Sequence, residues 1–304
     1  MDATALPTWL DAMFPPGHTR RLVDVGGARM HFWEWGSGLP VVLVHGNPSW
    51  SFLWRKVVAQ VLSQGQRIRV IVPDLIGLGL SDKPRDPAAH TLAAHARWLG
   101  ALLDQVAPTE LVLGVQDWGG PIGLGALAER PERLDRLRGL VVLNTVLGPP
   151  REGSTPTAFH RFARLPLLAQ AAFRLGFPQN LMALSQGNKL SIVGKVARAY
   201  RWPLRHVSDR VAPLALARMV PDTLDHPSVA GLRAAARVAE EFRGPSAIVW
   251  GERDPILGRA LARTQALLPR ATVTRTSAGH FLQEEVPEVI AAAICDVIAR
   301  ATAN

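Results

Sequence analysis

Residues 111–120 read Leu111-Val-Leu-Gly-Val-Gln-Asp117-Trp-Gly-Gly120, and this stretch decides the fold. The apolar run predicts a buried strand, the paired glycines a tight turn, and the residues from about Pro121 a helix. A strand, a sharp turn and a helix in immediate succession form an elbow that lifts one side chain above the edge of a sheet. The side chain at the apex is Asp117. A serine there would point to acyl transfer. A carboxylate at the positive end of a helix is expected to stay ionised and is a competent nucleophile toward saturated carbon, giving an alkyl ester. A role as helix cap alone would leave the apolar strand and the double glycine unexplained.

Outward from the elbow, short apolar runs alternate with helical patterns, which predicts an α/β fold with a mostly parallel sheet flanked by helices. Strands are predicted at residues 29–34, 40–44, 69–72, 111–115, 140–143, 246–250 and 271–274, and helices over 54–62, 92–106 and 287–300. Between Gly148 and about Asp225 the strand signal gives way to Arg-studded helical segments interrupted by prolines. This predicts a helical cap at 148–225 inserted into one core domain made of 1–147 and 226–304.

Three further segments carry chemistry. Val41-Val-Leu-Val-His45-Gly-Asn-Pro48-Ser-Trp50 reads as a strand ending in a turn. At such a turn the residue after His-Gly offers its backbone N–H to an oxyanion hole, paired with the N–H after the nucleophile. Those residues are Asn47 and Trp118, and the carboxamide of one and the indole of the other add side-chain donors for an anionic leaving group. His45 itself reads as structural. Ser277-Ala-Gly-His280-Phe follows the last strand, so His280 completes the chain order nucleophile, acid, histidine and is expected to activate water. The acid that orients it should end a preceding strand. Asp254 in Trp250-Gly-Glu-Arg-Asp254 is the choice, with Glu252 the local competitor. The other available position, after 140–143, holds Asn144, which carries no charge.

These segments resemble the haloalkane dehalogenases of the α/β-hydrolase fold. The resemblance rests on His45-Gly-Asn-Pro-Ser-Trp50, Asp74-Leu-Ile-Gly-Leu-Gly-Leu-Ser-Asp82, Gln116-Asp-Trp-Gly-Gly120 and Gly279-His-Phe-Leu-Gln-Glu284. It covers nearly the whole core and is weakest across the cap. Asp254 combined with Asn47 and Trp118 is most similar to the family's third branch. The resemblance implies a catalytic Asp117, His280 and Asp254, a halide held by Asn47 and Trp118, and a small hydrophobic haloalkane as substrate. The same residues also resemble the β-lactone decarboxylases of olefin biosynthesis, which turn a cis-β-lactone into an alkene and CO2. An epoxide hydrolase would need two cap tyrosines, and the chain has one, Tyr200. Fluoroacetate-type dehalogenases resemble an elbow with Arg after the Asp, where this chain has Trp118.

Composition narrows the alternatives. Of 304 residues 48% are hydrophobic and 19% charged, enough for one large core and too apolar for disorder. The formal charge of +9 and a pI near 11.0 invite a polyanionic partner. Yet residues 151–225 hold eleven Lys/Arg against four Asp/Glu and so carry +7 of that total. A nucleic-acid binder would interleave exposed aromatics with the basic strip, whereas Trp54, Trp98 and Trp250 lie in core-like segments, so no nucleic-acid partner is expected. The basic cap is expected to be mostly solvated helix faces, with attraction of anions, an acidic partner or a membrane surface as the sharper alternative. A binding module on a retired hydrolase scaffold would be expected to have lost Asp117, His280 or Asp254. The lone Cys295 excludes an internal disulfide framework, no zinc-type spacing occurs, and Gly77-Leu-Gly79 lacks a phosphate-binding pattern. No metal and no organic cofactor are expected. No uncharged run reaches the roughly 18 residues of a spanning helix, and the first residues lack a secretory pattern, so a cytoplasmic location is expected.

Overall fold

The computed structural model describes residues 6–153 and 155–303. Eight strands form one sheet: β1 (Thr19–Asp24), β2 (Arg29–Gly36), β3 (Leu39–Val44), β4 (Ile68–Pro73), β5 (Leu111–Gln116), β6 (Leu137–Leu143), β7 (Ser246–Gly251) and β8 (Thr272–Thr276). Their spatial order is β1-β2-β4-β3-β5-β6-β7-β8. β1 and β2 pair antiparallel and β2 meets β4 antiparallel, while every later pairing is parallel. β5 therefore lies near the centre, buried along its whole length. Seven strands match the predicted runs to within a few residues. β1 is an addition: Thr-Arg-Arg-Leu-Val-Asp is a polar edge strand with half or more of its residues exposed.

Alternation along the central strands divides the core in two. Val42, Val44, Leu113, Val115 and Ile248 face one apolar layer, and Val41, Leu43, Val112, Val141 and Val249 face the other. Helices Leu92–Val106, Gly119–Ala128 and Ser228–Glu241 cover the first face, while Arg55–Ser63 and Pro287–Thr302 cover the second. The 92–106 helix begins where the Thr91 side chain accepts the Ala94 N–H at 3.1 Å, an N-cap of the usual kind.

Between β6 and β7 the described residues form no strand. Short helices Ala158–Ala163, Leu168–Arg174, Phe177–Asn180, Gly194–Arg201 and Ala212–Arg218 follow one another before Ser228–Glu241 rejoins the main core. Ala163, Ala169, Phe173, Leu214 and Ala217 make a small apolar cluster of their own. Every large apolar side chain that is exposed among the described residues lies between Leu165 and Leu224. Among the described residues no helix is long and apolar enough to cross a membrane.

Candidate active site

Asp117 sits between β5 and the 119–128 helix with φ of 51°, a left-handed conformation rarely adopted outside glycine and Asn/Asp. Its neighbours hold it there. The Asp117 N–H donates to the Asn144 carbonyl at 3.1 Å and the Thr145 hydroxyl donates to the Asp117 carbonyl at 2.6 Å. A Cβ at Gly119 would collide with the Val44 carbonyl, and one at Gly46 with the Asp117 carboxylate. Gly119 and the His-Gly turn are thus explained by close approach of the elbow to the end of β3, and Gly120 by close approach to Thr145 and Leu147 after β6.

The Asn47 N–H donates to Asp117 Oδ1 at 2.8 Å, and the Trp118 N–H also bonds the carboxylate. The two expected oxyanion-hole donors therefore meet on the nucleophile itself. Burial is the largest influence on Asp117 and leaves its pKa above the ordinary carboxylate value, although His280 and the two backbone N–H groups pull the other way. The sequence expectation weighed only the helix terminus; the cost of desolvating a carboxylate outweighs that contribution here.

His280 Nδ1 lies 2.8 Å from Asp254 Oδ2, and His280 Nε2 lies 3.6 Å from Asp117 Oδ2. Burial lowers the imidazole pKa, but Asp254 and then Asp117 outweigh it and bring it up to about 9. Asp254 is itself held below its ordinary value despite burial, through His280, the Asn144 carboxamide and the Ile256 N–H. Its Oδ1 accepts the Ile256 and Leu257 N–H groups at 2.7 and 3.1 Å. Glu252, the competitor, is exposed and pairs with Arg275 at 3.3 Å.

Four residues in this network went unrecognised in the sequence. Asn144 has φ of 24°, donates to Asp254 Oδ2 at 2.8 Å and to the Gly251 carbonyl at 3.0 Å, and accepts the Gly251 N–H at 2.7 Å. It clamps the end of β7 and aims the acid. Gln116 Nε2 donates to the His280 carbonyl at 3.1 Å. Ser185, from the segment between β6 and β7, accepts the His280 N–H on its carbonyl at 2.9 Å, and Gln186 bonds both the N–H and the carbonyl of Phe281. The adjacency of Gln116 to Asp117 was a signal available in the sequence; the Ser185 contact had none.

Asn47 differs in part from expectation. Its carboxamide donates to the Pro213 carbonyl at 2.9 Å, and its Oδ1 is buried without a hydrogen-bond partner among the described residues. One amide N–H is thus committed to the backbone of the 212–218 helix. Trp118, with Asp117, lines a cavity of about 490 Å³ that also takes in Pro121, Val220, Leu232 and buried His160. His45 bonds with both ring nitrogens, Nε2 to the Leu75 N–H at 3.0 Å and Nδ1 to the Gly46 carbonyl at 2.9 Å. Tyr200 donates its hydroxyl to buried Glu284 at 2.6 Å and is not among the cavity residues.

Comparison with known proteins gives the same picture. Residues 40–287 match a model of the alpha/beta hydrolase fold family. A haloalkane dehalogenase of Mycobacterium marinum is 36% identical over 270 residues, covering 86% of each chain. Haloalkane dehalogenase 2 of Mycobacterium bovis is 31% identical, covering 91% of this chain and 93% of its own. The crystal structure of the dehalogenase DbeA from Bradyrhizobium elkani superposes with a TM-score of 0.82 at 27% identity, covering 94% of this chain and 99% of that one. An α/β-hydrolase core with a carboxylate at its elbow, and relatives this similar over nearly their full lengths, place the chain in the haloalkane dehalogenase family.

Proposed function

We propose that the protein is a hydrolytic haloalkane dehalogenase working through an alkyl ester of Asp117. The observation that carries this reading is a carboxylate, not a hydroxyl, at the elbow, with His280 Nε2 3.6 Å from its Oδ2 and the Asn47 backbone N–H on its other oxygen. Asp117 attacks the halogen-bearing carbon and halide departs, met by the Trp118 indole and the remaining Asn47 amide N–H. The ester carbonyl oxygen then rests on the Asn47 and Trp118 N–H groups. His280, oriented by Asp254, takes a proton from water as the water oxygen bonds the carboxyl carbon. Collapse of that intermediate releases the alcohol and restores Asp117.

The segment 148–225 acts in this reading as the cap that closes the cavity over the elbow. The same donors would also serve the carboxylate that leaves in β-lactone decarboxylation. Halide release from 1,2-dibromoethane and 1-bromobutane, measured beside headspace alkene and CO2 from a cis-β-lactone, decides between the two chemistries. Halide without alkene supports the proposal; alkene without halide overturns it.

A cytoplasmic setting belongs to the same reading. Exposed Leu175 shares a surface groove with Arg198 and Arg201, and exposed Leu190 follows Lys189 in the chain. Apolar side chains set among cations suit an anionic lipid surface, which would also concentrate apolar substrates near the cap.

A further inference from the structure

The cavity beside Asp117 carries more positive charge than the proposed reaction uses. Asp117 is the one carboxylate among its described lining residues, and that charge already faces His280. Three arginines, Arg151, Arg259 and Arg263, line the same cavity. Arg259 and Arg263 have no carboxylate within ion-pair distance among the described residues. Arg263 is only partly exposed, and its guanidinium lies beside Gly148. Burial, and then the charge of Arg151, push its pKa below the ordinary arginine value.

The arrangement is tied to the catalytic loop. Arg259 and Arg263 are four residues apart, in the short turn Gly258–Ala260 and the helix Leu261–Leu267 that continues from it. That run begins a few residues after Asp254, whose Oδ1 accepts the N–H groups of Ile256 and Leu257. Arg151 arrives from the other side, just after β6. Arg151 and Arg259 are exposed at the rim, whereas Arg263 is partly buried and faces the charge of Arg151, a placement that costs free energy and that a neutral haloalkane does not offset. An anionic ligand group does, because a planar carboxylate accepts paired N–H donors from guanidinium.

We propose that the cavity is built for haloalkanes bearing a carboxylate remote from the halogen, with Arg263 and Arg259 as the carboxylate subsite. This rests on the dehalogenase reading and adds the substrate class. The carboxylate is held without reacting while the halogen-bearing carbon faces Asp117, so the arginines govern substrate binding rather than the bond-breaking step.

The test compares 6-bromohexanoate, 6-bromohexanamide and 1-bromohexane on the full-length protein. Bromohexanoate is expected to exceed the amide at least tenfold in kcat/KM, mainly through KM. R263Q and R259Q are expected to lower the ratio of kcat/KM for the acid to that for 1-bromohexane about tenfold. Equal kcat/KM for acid and amide, or a ratio unmoved by both variants, would overturn the proposal. Calorimetric binding of hexanoate separates its failure from that of the dehalogenase reading. If no bromide is released from any of the three, binding of hexanoate that R263Q weakens still supports the anionic subsite, and absence of binding rejects it.

Discussion

Replacing Asp254 by Asn changes little in volume and much in charge. The rise of the His280 pKa from 6.5 to about 9 corresponds to roughly 3 kcal/mol in favour of imidazolium, net of the opposing effect of burial. Asp254 is the first carboxylate responsible and Asp117 the second. Once Asp117 is an ester its charge is gone, so Asp254 alone stabilises the imidazolium that forms as water is activated. The variant also disturbs hydrogen bonding. Oδ2 now accepts from both His280 Nδ1 and the Asn144 carboxamide, and Oδ1 accepts two backbone N–H groups. An amide nitrogen on either side would face donors, favouring the wrong imidazole tautomer. The charge alone gives about 10²-fold, and loss of the tautomer can extend this toward roughly 10⁴-fold in ester hydrolysis. In a rapid-mix experiment with 1-bromobutane the first turnover should still release a burst of halide, followed by a slow steady state in which butyl-enzyme accumulates. A folded Asp254→Asn protein whose burst and steady-state rates fall together, or whose steady state stays within threefold of the parent, would refute this division of labour.

Other predictions concern the leaving group, pH and the surface. Trp118→Phe should slow halide release by roughly 10²–10³-fold, and Asn47→Ala should cost less in the same assay, since part of its carboxamide is occupied by the Pro213 carbonyl. When ester hydrolysis limits turnover, kcat should rise with pH, because the base works as neutral imidazole. Its midpoint should lie below about 9, the free-enzyme value, because the ester removes the Asp117 charge. The His280 contribution to thermal stability should be full below pH 6.5 and vanish as pH rises through about 9, read as the Tm difference from a His280→Gln variant. Flotation with vesicles rich in anionic lipid should carry the protein upward, with neutral vesicles leaving it behind; charge reversal of Arg198 and Arg201 should weaken the effect, and equal flotation of the variant would count against a lipid-facing cap.

Most of the sheet was legible because parallel strands buried on both faces are written as uninterrupted apolar runs, as in 111–116 and 246–251. β1 was not, because an edge strand exposed on both sides has no such pattern: Arg20 and Arg21 sit where a central strand would carry valine. The positions of Asp117, Asn47 and His280 could be read from local turns that repeat in the chain as strand, glycine and helix. Asn144 could not. The sequence reading asked only whether position 144 bears a charge, whereas its carboxamide spans 110 residues to orient Asp254. Nor does anything local announce that Asn47 meets a carbonyl 166 residues away, or that a cavity gathers one arginine from the inserted segment and two from the residues after β7.

Trapping the ester tests the central claim most directly. His280→Phe protein incubated with 1-bromobutane and analysed by intact mass and peptide mapping should gain one butyl group, located on Asp117. The additional substitution Asp117→Asn should abolish it. A well-folded His280→Phe protein that acquires no adduct, or one carrying the butyl group on another residue, would contradict the account.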